Sequence, residues 1–258
     1  MGKDTTSLGD RMKTYENVTR NFLTRRTPVI IRIDGCHFHT FTRGMDKPYD
    51  EILCKTMQDT MKFLCENIQN CVLGYTQSDE ITLVLCDYKK LDTAAWFDNN
   101  LSKIISVSAS LATLGFNSNF CNNVKGGMRG CSDAIQYEKY EKYLYTKTNK
   151  ATFDSRAFNI PVSEVCNCLI WRQQDATRNS IQGLGQKYFS NKQLDGKNQS
   201  EVQDMLMLEK GVNWNDVPTK FKRGSCCIKG ESGWVIDNEI PIFTKDREYI
   251  ESRIIFSE

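Results

Sequence analysis

The feature that most constrains the fold is a pair of β-type runs separated by a very short polar connection. The stretch CVLGYTQSDEITLVLCDY, residues 71–88, is rich in β-branched and aromatic residues on both sides of Gln77-Ser78-Asp79-Glu80. A connection this short joins neighbouring antiparallel strands. The chain is therefore predicted to contain a β-hairpin with an acidic tip.

The order of the other apolar patterns predicts an α+β fold. A strand, VIIRI, precedes the hairpin and stops at Asp34-Gly35, and helical patterns alternate with the strands. This order is the start of a ferredoxin-like, split βαβ layout. We expect helices at residues 8–23, 50–68 and 98–115, and a further strand within 151–161.

The second half of the chain is predicted to extend this sheet. Residues 121–150 are rich in Gly, Lys and Tyr and are interpreted as a mobile connection. Beyond it the patterns indicate a helix from Pro161, a helix at 200–211 and a β-hairpin or meander at 225–243. The whole is expected to be an antiparallel sheet with helices on one face, plus a C-terminal extension of helices and a hairpin.

The composition disfavours several classes of protein. There are 11 cysteines, an odd number without any CxxC pair, and the two histidines are one residue apart, which disfavours a disulfide framework and a zinc site. No stretch reaches the roughly 18 apolar residues of a membrane span, and no transit peptide is seen. We expect a cytoplasmic protein without membrane contact, and a mitochondrial location is disfavoured. The net charge of +2 neither demands nor excludes nucleic acid.

Two acidic sites are expected to meet at one edge of the sheet. Asp34 ends the first strand, and Asp79 with Glu80 lies at the hairpin tip. Carboxylates this close favour a bound cation, and Mg²⁺ prefers such oxygen ligands. The alternative is that both are ordinary turn residues. His37 and His39 follow Asp34 at once, and they are either structural or positioned to donate to phosphate oxygens.

The motifs taken together resemble the tRNA-histidine guanylyltransferase family, the 3′–5′ nucleotide polymerases. The matching stretches are GDRMKTYE (9–16), RIDGCHFHTF (32–41), MDKPYD (45–50), GYTQSDEITLVL (74–85), FDSRAFNIP (153–161) and WRQQDATRNSI (171–181). The resemblance implies a polymerase-palm sheet. It implies a catalytic palm-like domain at 7–130, a second family segment packed on it at 131–235, and a tail at 236–258.

The resemblance also implies a site and its ligands. Two Mg²⁺ ions would be held by Asp34, the carbonyl of Gly35, and Asp79, and Lys47 matches a lysine implicated in the reaction. ATP, GTP or another NTP would be the nucleotide substrates, a tRNA or other structured RNA would be the acceptor, and the protein would be a homotetramer. The nucleotide would lie against Asp34, Gly35, Cys36, His37, Phe38, His39, Ser78 and Asp79.

One departure from the family bears on the reaction. Eukaryotic members carry Cys-His-Ile-Asn-Asn-Leu-Tyr-Asn where this chain has ATRNSIQG, residues 176–183, so that only Asn179 stays in register. This departure is typical of the like-protein branch, which prefers template-directed repair of 5′ ends. We therefore expect template-dependent 3′–5′ addition to a tRNA 5′ end, with ATP or GTP activating a 5′-monophosphate.

Three alternatives stay open. A true guanylyltransferase would add one G to tRNA-His whatever base lies opposite. A nucleotide cyclase, which also uses a palm-type fold, would release pyrophosphate without RNA. A non-catalytic RNA-binding module would use the same ferredoxin-like sheet, although the strands lack the aromatic pattern of such modules.

Overall fold

The computed structural model describes residues 5–255, and they form alternating helices and strands. The strands are β1 (Val29–Gly35), β2 (Cys71–Gln77), β3 (Glu80–Leu85), β4 (Phe153–Asn159), β5 (Ser225–Gly230) and β6 (Gly233–Asp237). The helices are α1 (Leu8–Asn17), α2 (Phe38–Phe41), α3 (Glu51–Asn67), α4 (Leu101–Arg129), α5 (Ala134–Lys147), α6 (Val162–Tyr188), α7 (Asn191–Leu194), α8 (Gln199–Lys210), α9 (Thr219–Arg223) and α10 (Glu248–Ile254).

The strands of this described part form one six-stranded sheet in the order β4-β1-β3-β2-β5-β6, and every neighbouring pair is antiparallel. The predicted hairpin is β2–β3, and β4 is the strand predicted within 151–161. The α+β, ferredoxin-like prediction is therefore confirmed. The C-terminal hairpin, β5–β6, continues the same sheet beyond β2.

The two faces of the sheet carry separate cores. On one face, Ile31 and Ile33 pack with α3 and α4 in a cluster that includes Met61 and Phe116. On the other face, Ile30 packs with α6 and α10. Because side chains alternate along a strand, Arg32 and Asp34 share the second face with Ile30. The C-terminal extension thus covers the face opposite to the ferredoxin-type helices and shapes the surroundings of Asp34.

Most of residues 121–150 lie in the end of α4 and in α5, and their prediction as a mobile connection is wrong. Helix α4 continues to Arg129 because Phe116, Phe120 and Val124 recur at helical spacing and are all buried. One of the glycines that suggested a loop, Gly127, has a packing role instead. A Cβ on Gly127 would lie 2.9 Å from the ring of Tyr140, so that glycine lets α5 approach α4 closely.

Two further boundaries differ from the prediction. Helix α1 ends at Asn17 rather than near residue 23, and all ten of its residues are exposed, so its apolar spacing is not used against the core. The segment 236–258, predicted as a tail, packs into the second core up to residue 255, since Phe243, Ile250 and Ile254 are fully buried there. Its last three residues, 256–258, lie outside the described part.

Within residues 5–255, the helices are all too short or too polar to cross a membrane.

Candidate active site at the edge of the sheet

The end of β1 and the β2–β3 turn are held together by the backbone. The amide of Gly35 donates to the carbonyl oxygen of Asp79 over 3.1 Å, and Asp34 lies opposite Glu80 in the register of β1 and β3. The predicted meeting of Asp34 and Asp79 at one edge is therefore confirmed by the strand pairing. The site is built on two adjacent strand ends, which position its carboxylates on a rigid scaffold.

Asp34 lies in a negative environment. Partial burial raises the pKa of the Asp34 carboxyl above its ordinary value of 3.8, and the negative charges of Asp79, Glu80 and Asp154 raise it further. Arg156 acts in the opposite direction as the smallest of these contributions. Asp154 was missed by the sequence reasoning, because only the pairing of β4 with β1 places it opposite Asp34. The cluster is thus one that a cation would stabilise.

The neighbouring carboxylates differ in how they are neutralised. Glu80 accepts from the Nε of Arg172 over 2.7 Å, and Asp154 lies 3.4 Å from the guanidinium of Arg156. Among residues 5–255, Asp34 and Asp79 form no such salt bridge. The carboxylate of Asp79 accepts from the hydroxyl of Ser78, at 2.9 Å. Two carboxylates are therefore left open at the solvent-facing edge.

This donor set fits a hard divalent cation. The carboxylates of Asp34 and Asp79 and the carbonyl of Gly35 offer oxygen atoms only, which is what Mg²⁺ prefers. Over the described range, no group of three or more His, Cys, Asp or Glu side chains is arranged as a metal site. A cation bound here would accordingly complete its coordination with substrate or water oxygens, as Mg²⁺ commonly does.

Gly35 is required by packing as well as by its position. A Cβ on this residue would lie 2.3 Å from the ring of Phe38, so a side chain cannot be accommodated without moving that ring. Phe38 is itself buried and packs against Phe41, Phe116 and Phe153. Its side chain is thus part of the core, and only its backbone is available to a nucleotide.

Both histidines lie exposed at the start of the short helix after β1. His37 adopts a left-handed backbone conformation as the N-terminal cap of α2, and its ring centroid lies 6.4 Å from that of His39. The Nε2 atom of His39 is 3.1 Å from the hydroxyl of Thr40. Cys36 lies between Asp34 and these rings, and its thiol faces the carboxylate of Asp154 at 3.9 Å. The imidazoles are therefore free to meet a ligand from solvent.

Lys47 lies in the loop between α2 and α3, exposed to solvent. Its ammonium approaches the hydroxyl of Thr42 at 3.4 Å. The loop is closed by Asp50, a buried carboxylate that accepts from the amide of Asp46 and, over 2.8 Å, from the hydroxyl of Tyr143. Helix α5 thereby supports the loop that carries Lys47, a contribution that the sequence did not predict.

A pocket of about 160 Å³ opens beside the acidic turn, between α3, the end of β2, α6 and α9. Tyr49 and Phe221 both line it and stack on each other, with ring centroids 4.7 Å apart. Asn179 and Ser180, from the segment that departs from the family pattern, line its wall next to Ser78. The unusual composition of that segment was the only sequence signal that could have pointed to this pocket.

Comparison with known proteins identifies what the chain resembles. The family model described as tRNAHis guanylyltransferase matches residues 9–161. The curated tRNA(His) guanylyltransferase of Saccharomyces cerevisiae is 31% identical over 79% of this chain and 83% of that protein. The tRNA(His) guanylyltransferase 2 of Arabidopsis thaliana is 29% identical over 85% of this chain, which spans 38% of the length of that longer relative.

Two solved structures are similar over nearly the whole chain. A bacterial tRNA(His) guanylyltransferase (Thg1)-like protein in complex with ATP has a TM-score of 0.85 and 48% identity, and the match covers 97% of this chain and all of that one. A bacterial protein of the same description in complex with GTP has a TM-score of 0.76 and 41% identity, with the same coverage. At this coverage the agreement extends well beyond residue 161, where the family model ends.

Proposed function

Because the chain belongs to the tRNAHis guanylyltransferase family of nucleotidyltransferases, we propose that it adds nucleotides in the 3′–5′ direction to the 5′ end of a tRNA, directed by the opposing strand. Nucleotides are attached to an RNA end that ordinary polymerases cannot extend. Repair or editing of 5′ ends is the use that fits this reaction.

The observation that carries the proposal is the pairing of two unneutralised carboxylates, Asp34 and Asp79, at one sheet edge. Packing in the core does not explain the position of these two carboxylates, because each residue is partly exposed to solvent. Asp34 is held in the ionised form at a cost, since partial burial and its acidic neighbours raise its pKa. An arrangement that disfavours its own charge is typical of a site whose ligand is positive.

Asp34, the Gly35 carbonyl and Asp79 would hold two Mg²⁺ ions. Bound there, the ions supply neutralisation of phosphate charge and orientation of the attacking oxygen. His37 and His39, exposed beside Asp34, donate to the triphosphate of the nucleotide. Lys47 adds a permanent positive charge from the adjoining loop. Backbone rigidity at the two strand ends keeps these groups in place between successive reaction steps.

The reaction proposed has two transfers. In the first, a 5′-phosphate oxygen of the RNA attacks the α-phosphorus of ATP, and pyrophosphate leaves. In the second, the 3′-hydroxyl of an incoming NTP attacks the RNA's activated 5′ phosphorus, and AMP leaves. ATP and GTP are bound in the similar bacterial structures, which supports both as ligands of this chain. A 5′-triphosphate end skips the first transfer.

Template dependence is favoured by the wall of the pocket beside Ser78. Ser180 stands where eukaryotic members carry asparagine, and its hydroxyl is already engaged by Tyr49 at 2.7 Å and by the indole nitrogen of Trp214 at 3.1 Å. The histidine of the eukaryotic run is replaced by Thr177. The chain therefore has fewer side chains that could select a nucleotide without a template, and base pairing with the opposing strand makes the selection.

The test uses a labelled tRNA that lacks its first nucleotide, with Mg²⁺, ATP and each NTP supplied singly. Restoration of only the nucleotide that pairs with the opposing base is the expected result. Changing that opposing base should change the added nucleotide accordingly. Addition of G opposite every base would instead identify a single-G guanylyltransferase, and pyrophosphate release without RNA would identify a cyclase.

A further inference from the structure

An exposed tryptophan lies on the sheet face that carries Asp34. The guanidinium of Arg32 lies 5.5 Å from the centroid of the Trp171 ring, and Arg32 precedes Asp34 by two residues on β1. Residues two apart on a strand point to the same face and are about 7 Å apart. Helix α6 therefore places the indole against Arg32, on the sheet face that carries Asp34, although 171 and 34 are distant in the sequence.

The indole is both accessible and held in place. Trp171 is 51% exposed, whereas Trp96 and Trp214 are buried. The guanidinium of Arg172 lies 4.5 Å from its ring centroid. Both arginines are tied to Glu80, Arg172 at 2.7 Å and Arg32 at 3.9 Å. The exposed indole therefore packs against two guanidinium groups that are held in place by Glu80. Because the ring is already held in position, a base that stacks on it causes little further loss of conformational entropy.

The charge around the indole suits a nucleic-acid strand. Arg156 lies opposite Arg32 in the register of β1 and β4, and it is exposed. Its ion pair with Asp154 is solvent-exposed, and such pairs contribute little, so the guanidinium can turn to a phosphate at small cost. An aromatic platform flanked by arginines is the usual arrangement for single-stranded nucleic acid.

We propose that Trp171 is the stacking platform for the base of the RNA's 5′-terminal nucleotide, with Arg156 contacting the backbone beside it. This inference rests on the proposed function, because it assigns the position of the acceptor in that reaction. The incoming nucleotide is expected along Gly35–His39, which follows Asp34 in the chain. Trp171 lies on the preceding side, over Arg32, so the two reactants reach the carboxylates from opposite sides.

The test compares Trp171→Leu, which removes the aromatic surface, with Trp171→Phe, which keeps a smaller one. The matched control is Tyr188→Leu at the end of the same helix. Tyr188 is a partly exposed aromatic with a lysine 5.6 Å from its ring centroid, and it is 17 residues, or about 25 Å, away along α6. Thermal unfolding of each variant shows whether it is folded.

The measurements are the Kd of a 5′-triphosphorylated RNA hairpin, by fluorescence polarisation, and the KM of the templated NTP. Trp171→Leu should weaken RNA binding about tenfold, the size of one lost base–aromatic stack, and leave the NTP KM unchanged. Trp171→Phe should lose less, and Tyr188→Leu should match the unaltered protein. The stacking role of Trp171 would be wrong if Trp171→Leu bound RNA with unchanged affinity, or if it raised the KM for NTP instead of the Kd for RNA.

A crosslink tests the same assignment without any substitution. The hairpin carries 4-thiouridine as its 5′-terminal nucleotide and is irradiated on the unaltered protein. The expected adduct lies on the tryptic peptide 157–172, which contains Trp171. An adduct confined to other peptides contradicts the proposal. If Trp171→Leu weakens RNA binding but the unaltered protein adds no nucleotide to any RNA end, the polymerase function is wrong and the stacking role of Trp171 holds. If the unaltered protein extends RNA but Trp171→Leu binds RNA with unchanged affinity, the polymerase function holds and the stacking role is wrong.

Discussion

Asp79 and Glu80 are consecutive in the chain, yet the carboxylate of Glu80 is paired with arginines whereas that of Asp79 has no cationic partner among the described residues. Glu80 is buried in a network with Arg172 and Arg32, and its charge is neutralised within the protein. Asp79 lies in the turn with Asp34, where the carboxylates repel each other. The protein thus neutralises the buried acid within its own structure and leaves unpaired the two acids of the proposed metal site.

The largest effect is expected from substitutions at the unpaired acids. Asp34→Asn or Asp79→Asn should lower the rate of nucleotide addition on the order of 10³-fold, the scale of losing a preorganised electrostatic contact. Both the activation of a 5′-monophosphate end and addition to a 5′-triphosphate end should be lost together. Single-turnover assays with each RNA measure the two steps separately.

Asp154→Asn is the control for this prediction. Asp154 faces Asp34 but is exposed and already paired with Arg156, so screening by solvent should keep its effect within about tenfold. The assignment of the open edge would be wrong if Asp34→Asn retained near-normal addition in Mg²⁺, or if Asp154→Asn were equally inactive.

The second effect concerns the neutralised region and should appear in stability. Glu80→Gln leaves the guanidinium of Arg172, which is 9% exposed, without its main counter-charge. Removing one partner of a buried ion pair costs about 3 kcal/mol in the free energy of unfolding when the remaining group keeps a hydrogen bond. Urea titration of the variant and the unaltered protein gives this difference.

The exposed pair Lys62–Glu66 on α3 provides the comparison, because its atoms are 4.0 Å apart and nearly half exposed. Glu66→Gln should change the unfolding free energy by no more than about 0.5 kcal/mol. Equal losses in the two variants would mean that the Glu80 network does not stabilise the sheet in the way its burial indicates.

The smallest effect is a pH dependence at Asp34. The folded protein raises the pKa of this carboxyl, so ionisation disfavours the folded state, and stability is lost as the pH rises through the folded pKa. Asp34→Asn should therefore be more stable than the unaltered protein at neutral pH without metal. The gain should vanish below pH 3.8, the ordinary pKa of the group.

Thermal unfolding in EDTA across this pH range measures the difference. Adding Mg²⁺ should stabilise the unaltered protein and have a smaller effect on the variant, because a ligand raises stability only where it binds. A variant that is less stable than the unaltered protein at neutral pH would contradict the repulsion inferred for the edge.

The sequence was most informative where structure is local. The β2–β3 hairpin and the end of β1 follow from β-type runs and turn residues, and the register then places Asp34 opposite Glu80. It was misleading at residues 121–150, where Gly126 and Gly127 suggested a loop. There Gly127 lets two helices approach closely, and such a contact leaves no local signal. The homotetramer, the cytoplasmic location and the division between a domain at 7–130 and a segment at 131–235 stay predictions.

The strands, the hairpin and the two acids at strand ends follow from the amino-acid sequence alone, because backbone propensity and side-chain alternation act between near neighbours. Only the tertiary structure decided which acids stay unpaired. Arg172 reaches Glu80 across 92 residues, and β4 brings Asp154 and Arg156 beside β1 from a similar distance. The same packing places Trp171 against Arg32, on the sheet face of Asp34. Charge and stacking act through space, and their partners are chosen by the packing of the whole chain.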